Sequence, residues 1–114
     1  MKLKNVPSPV QQALVLVCEK CGKKQDESAS RDENPSRLLQ QFFKEQCKQE
    51  SAAQKTGPQV RPIVSSCMNI CPANELTVAL ARVEGPLEFF TTPFPRDEQE
   101  KHKMWQEIKL KLSK

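Results

Sequence analysis

Four of the five cysteines in this 114-residue chain occur in two close pairs. Cys18 and Cys21 are separated by two residues, and Cys67 and Cys71 are separated by three. Thiols at such short spacings can bind a metal ion or a metal cluster, or they can form a redox-active disulfide. The chemistry of this chain is therefore expected to be that of thiolates, provided that the fold brings the two pairs together.

The remaining reactive side chains offer little alternative chemistry. His102 is the single histidine and is surrounded by charged residues, which is typical of a solvated helix face. Cys47 lies four residues after Phe43 on an apolar stripe, so we expect a buried small hydrophobe rather than a ligand. Neither a glycine-rich phosphate loop nor a nucleophile–base pair is evident. We therefore expect no catalytic residues and no enzyme.

Composition and charge restrict the class of protein. Apolar residues make up 37% of the chain, which suits one modest core in a single domain over residues 12–114, behind a flexible tail at 1–11. The net charge of +4 is small, and basic residues alternate with acidic ones, so no nucleic acid is expected as a partner. The apolar run at 13–17 is far shorter than the roughly 18 residues of a membrane helix.

The same run is also too short for a signal peptide, so no membrane attachment is expected and a cytoplasmic location is favoured. Thiols stay reduced in the cytoplasm. Paired cysteines there bind metal or take part in redox chemistry more often than they form structural disulfides.

Two strand patterns end where the cysteine pairs begin. Ala13–Val17 is a continuous apolar run, which is the pattern of a strand covered on both faces, and Cys18 follows it directly. Val60–Val64 is a second candidate, and Pro62 restricts it to the edge of a sheet because proline cannot donate a ladder hydrogen bond. The loop 66–72, with the second cysteine pair, comes next.

The connection between these strands is expected to be helical. Residues 22–34 contain almost nothing apolar and predict a mobile, solvated loop. Asn34 and Pro35 then have the residue types of an N-cap and a first helical turn. The apolar stripe of this helix runs to near Ser51 and consists of Leu38, Leu39, Phe42, Phe43 and Cys47. A helical crossover makes the two strands parallel, so all four paired thiols are expected at one sheet edge, where α/β proteins usually bind ligands.

The C-terminal half is predicted to complete the sheet. Leu76–Ala81 and Leu87–Phe90 are strand candidates joined by a short turn, which indicates an antiparallel hairpin. A closing helix is predicted over 96–114, with Met104, Trp105, Ile108 and Leu112 on one face. Its lysines are interpreted as a solvated face, with docking of an acidic partner as the less favoured alternative. The predicted fold class is α/β, in the order β-α-β-β-β-α, with a four-stranded mixed sheet flanked by two helices.

These patterns resemble the thioredoxin-like [2Fe-2S] ferredoxins and their uncharacterised predicted metal-binding relatives. The resemblance rests on Cys18-Glu19-Lys20-Cys21 after a strand, on Cys67-Met68-Asn69-Ile70-Cys71-Pro72, and on the strand Leu76–Leu80 that follows. It implies a thioredoxin-like fold in which Cys18, Cys21, Cys67 and Cys71 ligate a [2Fe-2S] cluster. It also implies electron transfer with an unidentified redox partner protein, and a possible homodimer, since members of that family are often dimers.

Two alternatives for the cysteines stay open. Many of these ferredoxins have a longer gap between the first two cysteines than the two residues found here, and C-x-x-C-Gly is common in zinc knuckles. A structural zinc site with four thiolates, in an interaction domain, is therefore the main alternative. A thiol–disulfide oxidoreductase is less favoured. It needs its C-x-x-C thiol at a helix N-terminus, whereas the first helix is predicted to begin only near Pro35.

Overall fold

The computed structural model describes residues 2–7, 12–28, 30–54, 60–70 and 74–112, without the side chains of 51–54. Its elements in chain order are β1 (Ala13–Cys18), α1 (Glu19–Gln25), a 3-10 turn (Arg31–Glu33), α2 (Pro35–Gln54), β2 (Val60–Ser65), β3 (Glu75–Arg82), β4 (Leu87–Pro93) and α3 (Glu98–Leu112). Within these ranges the chain forms an α/β fold with a four-stranded mixed sheet and three helices. The expected sheet is confirmed, and the expected number of two helices is wrong.

The strand order in the sheet is β2-β1-β3-β4. Strands β1 and β2 are parallel, and β3 is antiparallel to both β1 and β4. The parallel pair and the hairpin predicted from the sequence are therefore both confirmed. Pro62 lies in β2, at an edge of the sheet, where its missing N–H group is tolerated.

Helix α1 overlaps, at residues 22–25, the range 22–34 that the sequence predicts to be a mobile loop. Its ends suit the helix dipole, since Glu19 is in the first turn and Lys23 and Lys24 are in the last. Its packing requires glycine at position 22, because a Cβ atom there would lie 2.0 Å from Asn34 Oδ1. The sequence prediction failed here because a seven-residue helix carries too little apolar periodicity to be recognised.

Helix α2 begins as predicted and ends later. Asn34 Oδ1 accepts a hydrogen bond of 2.8 Å from the Ser36 N–H group, which is the expected capping interaction. The Asn34 side-chain amide also donates to the Glu19 carbonyl at 3.1 Å, so one residue connects the start of α2 to α1. The helix extends to Gln54, three residues beyond the predicted end at Ser51.

Helices α2 and α3 enclose a core on one face of the sheet. Val15 and Leu80 of the sheet are fully buried in the same cluster as Phe43 and Trp105. The rings of Phe43 and Trp105 are stacked with centroids 5.2 Å apart, and the indole N–H group donates to Glu50 at 3.3 Å. Trp105, which the sequence assigns to the apolar face of the closing helix, is buried in this core. None of the described helices combines the length and the apolar character that crossing a membrane requires.

Candidate metal centre

The first cysteine pair lies at the junction of β1 and α1. Cys18 is the last residue of the strand and the N-cap of the helix, and Cys21 follows in the first helical turn. Both side chains are buried in the core cluster, with exposed fractions of 1% and 6%. This pair is therefore part of the apolar interior as well as a candidate ligand set.

Polar contacts fix the backbone around this pair. The Ser36 hydroxyl is fully buried and donates a hydrogen bond of 2.6 Å to the Cys18 carbonyl. Next to it, Arg37 forms an ion pair of 2.9 Å with Glu19. Both contacts come from the first turn of α2, so the start of that helix holds the start of α1 in place.

Burial raises the pKa of the Cys18 thiol above its ordinary value. The backbone N–H group of Cys21 lowers this pKa, whereas the neighbouring Cys21 thiol raises it, and burial remains the largest influence. A buried, protonated thiol is a poor nucleophile at neutral pH. A bound metal ion would be needed to stabilise the thiolate form.

The second pair belongs to the irregular segment after β2. Cys18 is paired in register with Ser65 of the parallel strand, and Cys67 lies two residues beyond that partner. The half-buried Cys67 Sγ accepts a hydrogen bond of 3.4 Å from the Asn69 N–H group. Asn69 has φ 62°, a left-handed conformation that asparagine tolerates better than most residues. Cys71 lies outside the described residues.

One threonine links α1 to the segment of the second pair. The Thr77 hydroxyl donates to the Ile70 carbonyl at 3.2 Å and accepts a weak hydrogen bond from Cys21 Sγ at 3.8 Å. Thr77 is completely buried in β3, between the apolar residues Leu76 and Val78. Sequence reasoning missed this residue, and its available signal was a single hydroxyl within the otherwise apolar strand.

The four sequence-predicted ligands are brought together only in part. Cys18 and Cys21 are close enough for their thiols to influence each other's charge, and Cys67 follows β2 at the same edge of the sheet. In the described part of the chain, no three side chains among His, Cys, Asp and Glu are close enough to hold one metal ion. A site with all four ligands therefore depends on the segment after β2 approaching the first pair.

The fifth cysteine and the histidine lie in the surroundings expected for them. Cys47 is half-buried on α2 and packs against the core cluster. Burial, with a smaller effect of the Glu50 carboxylate, raises the pKa of Cys47 to about 11. His102 is exposed, and its ring lies edge-on to Phe42 with centroids 5.0 Å apart.

Comparison with known proteins adds no family to this description. No family model matches the chain, and neither the curated proteins nor the solved structures include a match. The functional interpretation therefore depends on the thiols and on the residues that surround them.

Proposed function

We propose that this protein holds a [2Fe-2S] cluster on Cys18, Cys21, Cys67 and Cys71 and serves as a one-electron carrier. The main support is the parallel register of β1 and β2, in which Cys18 is opposite Ser65 and the two cysteine pairs follow the same ends of adjacent strands. The sheet order β2-β1-β3-β4 is also compatible with the thioredoxin-like arrangement that we propose.

The donor set suits such a cluster. Four thiolates are the usual ligands of a [2Fe-2S] centre, whose potential depends on hydrogen bonds to sulfur and on burial. Both a hydrogen bond to sulfur and burial are present in this protein. The Asn69 N–H group donates to Cys67 Sγ, and Cys18 and Cys21 are enclosed in the core.

A thiol–disulfide oxidoreductase is less well supported, although not for the reason that the sequence suggested. The expectation that no helix begins near the first pair is wrong, because α1 begins at Glu19. A reactive C-x-x-C thiol, however, needs solvent access and a lowered pKa. Cys18 is 1% exposed and its pKa is raised by burial, so this thiol lacks both properties.

A structural zinc site is the second candidate. The specific observation in its favour is the closeness of Cys18 and Cys21, since a two-residue gap and adjacent thiols suit two ligands of one ion. Zinc would leave no open coordination position, so the protein would then be an interaction domain rather than an electron carrier.

Anaerobic purification followed by absorption spectroscopy and iron, sulfide and zinc analysis separates the two candidates. The cluster predicts a brown protein with about two irons and two sulfides per chain. The opposite result is a colourless protein with about one zinc per chain and no cluster after reconstitution with iron and sulfide. It would show that the site binds zinc rather than a cluster.

Variants of single cysteines then test the ligand set. Cys67→Ser and Cys71→Ser are each expected to abolish cluster binding, because each removes one of four thiolates. Cys47→Ala is the matched control and should keep the full iron content, since Cys47 packs against the core cluster on α2. Loss of iron in Cys47→Ala alone would refute the assignment.

A further inference from the structure

The two edges of the sheet differ in their protection against an added strand. Strand β2 forms one edge and β4 the other. In β2, Pro62 has no N–H group, and the Pro62 carbonyl already accepts a hydrogen bond of 3.1 Å from the Gln40 side chain of α2. Proline on an edge strand is one of the features that keep a sheet from pairing with another chain. The β2 edge is therefore closed.

Strand β4 lacks this protection. Its first six residues, 87–92, include neither a proline nor a basic residue, and Pro93 only ends the strand. The single charged residue among them, Glu88, is paired with Arg82 at 3.1 Å. In the described part of the chain, β4 has one neighbouring strand, β3. The N–H and C=O groups on its outer side can therefore pair with an additional strand.

A groove lies between this edge strand and α3. Its volume is about 270 Å³, and its lining is mainly apolar, from Val78, Leu80, Phe90, Met104 and Ile108. One turn of a helix about 10 Å wide, with a pitch of about 5.4 Å, occupies about 420 Å³, so the groove is too small for a helix. The side chains of an extended segment suit it better, because every second one would point from the edge toward α3.

The charged residues around the groove favour a carboxylate on the bound segment. Lys111 and Glu107 line the groove, and an adjoining hollow of about 220 Å³ adds Lys103 and Glu100. The Glu100 carboxylate is already paired with Arg96 at 3.1 Å. Two exposed lysines and one glutamate remain, so an acidic group is attracted more than a basic one.

We propose that the β4 edge binds an extended peptide segment of another protein as a fifth strand. The segment carries apolar side chains at alternate positions and a carboxylate side chain at one end or both. Backbone hydrogen bonds to β4 hold it, its apolar side chains enter the groove, and its carboxylate meets Lys111 or Lys103. Its remaining side chains cover Leu87 and Phe89, which are 55% and 47% exposed. The unpaired edge selects an extended chain, because a helix cannot continue a sheet ladder.

Short synthetic peptides test the proposal. In these probes valine, leucine or phenylalanine alternates with threonine between two terminal glutamates. At least one should bind the purified protein with a dissociation constant on the order of 100 μM, as measured by NMR titration. Amide exchange within 87–92 should then become slower, while exchange at 60–65 in β2 stays unchanged. Absence of binding by every probe at about 1 mM, or binding without slower exchange at 87–92, would overturn the proposal.

Modified peptides test the backbone pairing separately from the side chains. N-methylation of the residues between the glutamates removes the N–H donors and keeps the side chains, so binding should weaken at least about tenfold. A scrambled peptide, with its apolar residues adjacent, should also bind more weakly because fewer of them reach the groove. Equal affinity of the methylated or the scrambled peptide would show that no strand is added, which contradicts the proposal.

A matched pair of charge reversals tests the position of the segment. Lys111→Glu should weaken binding about fivefold, because it places a carboxylate beside the glutamates of the probe. Lys44→Glu is the control, since Lys44 is also exposed but lies on α2. Equal affinities of the two variants would exclude this groove as the site. Protection of the β4 amides that grows with protein concentration in the absence of peptide would show pairing with another copy, and would also overturn the proposal.

Discussion

The two halves of the candidate metal site are built in different ways. Cys18 and Cys21 belong to a strand end and a helical turn, and both are in the core cluster. Cys67 follows β2 in a segment without regular structure, is half-buried, and is not part of the core cluster. The first half is therefore positioned by the fold itself, and the second half is connected to it through the Thr77 hydroxyl.

Because of this difference, the two cysteine pairs do not indicate a metal site equally strongly. A buried thiol packs as well as any small apolar group, so Cys18 and Cys21 have a structural explanation that requires no metal. Cys67 is half-buried outside the core cluster, and its sulfur accepts a hydrogen bond from the Asn69 N–H group, as the sulfur of a ligand often does. The functional hypothesis therefore depends more on the second pair, and variants should separate structural effects from ligand effects.

The largest effect is expected at the first half, from Gly22→Ala. Alanine would normally favour a helix, but here its Cβ would lie 2.0 Å from Asn34 Oδ1 and 2.5 Å from Ser36 Oγ. Relief of this overlap displaces the cap of α2, so we expect a loss of about 3 kcal/mol in unfolding free energy. Urea denaturation measures it, with the exposed Lys23→Ala as control. A loss below about 1 kcal/mol would mean that α1 is not held against α2 as described.

In metal-free protein, truncation of one cysteine in each half of the site should lower the unfolding free energy by different amounts. Cys21→Ala leaves a small cavity in the core and is expected to cost about 1 kcal/mol. Cys67→Ala should change the unfolding free energy by less than about 0.5 kcal/mol, because its side chain is outside the core cluster. Both variants should fail to assemble the cluster. Equal losses of stability in chemical denaturation would contradict the distinction between the halves.

The sequence predicted the scaffold of the site better than the site itself. The apolar runs before Cys18 and Cys67 were sufficient to predict β1 and β2, and the apolar stripe of α2 then required them to be parallel. Helix α1 could not be predicted, because Cys21 and Gly22 make its main contacts with the rest of the fold rather than with a periodic apolar face. Thr77 could not be assigned a role either. Its partner Cys21 is 56 residues away in sequence, and its partner Ile70 lies in a segment without regular structure.

The link between the halves is tested by Thr77→Val, which keeps the side-chain shape and removes the hydroxyl. The Ile70 carbonyl then loses its hydrogen bond, so we expect a loss of about 1 kcal/mol in stability. Amide exchange at 67–70 should become faster, and Co²⁺ should bind roughly tenfold more weakly. Thr91→Val is the matched control because Thr91 is the exposed cross-strand neighbour of Thr77. Unchanged exchange at 67–70 in Thr77→Val would show that this hydroxyl does not hold the segment.

At alkaline pH, an effect is expected from Cys47, the thiol outside both halves. The pKa of Cys47 is about 11 in the folded protein, compared with an ordinary value of 9.0. Between these values the unfolded chain releases a proton that the folded chain retains, so the contribution of this thiol is lost as the pH rises from 9 to 11. Wild-type protein should therefore lose more stability over that interval than Cys47→Ala, as measured by melting temperature. Parallel curves for wild type and Cys47→Ala would mean that Cys47 is not buried as described.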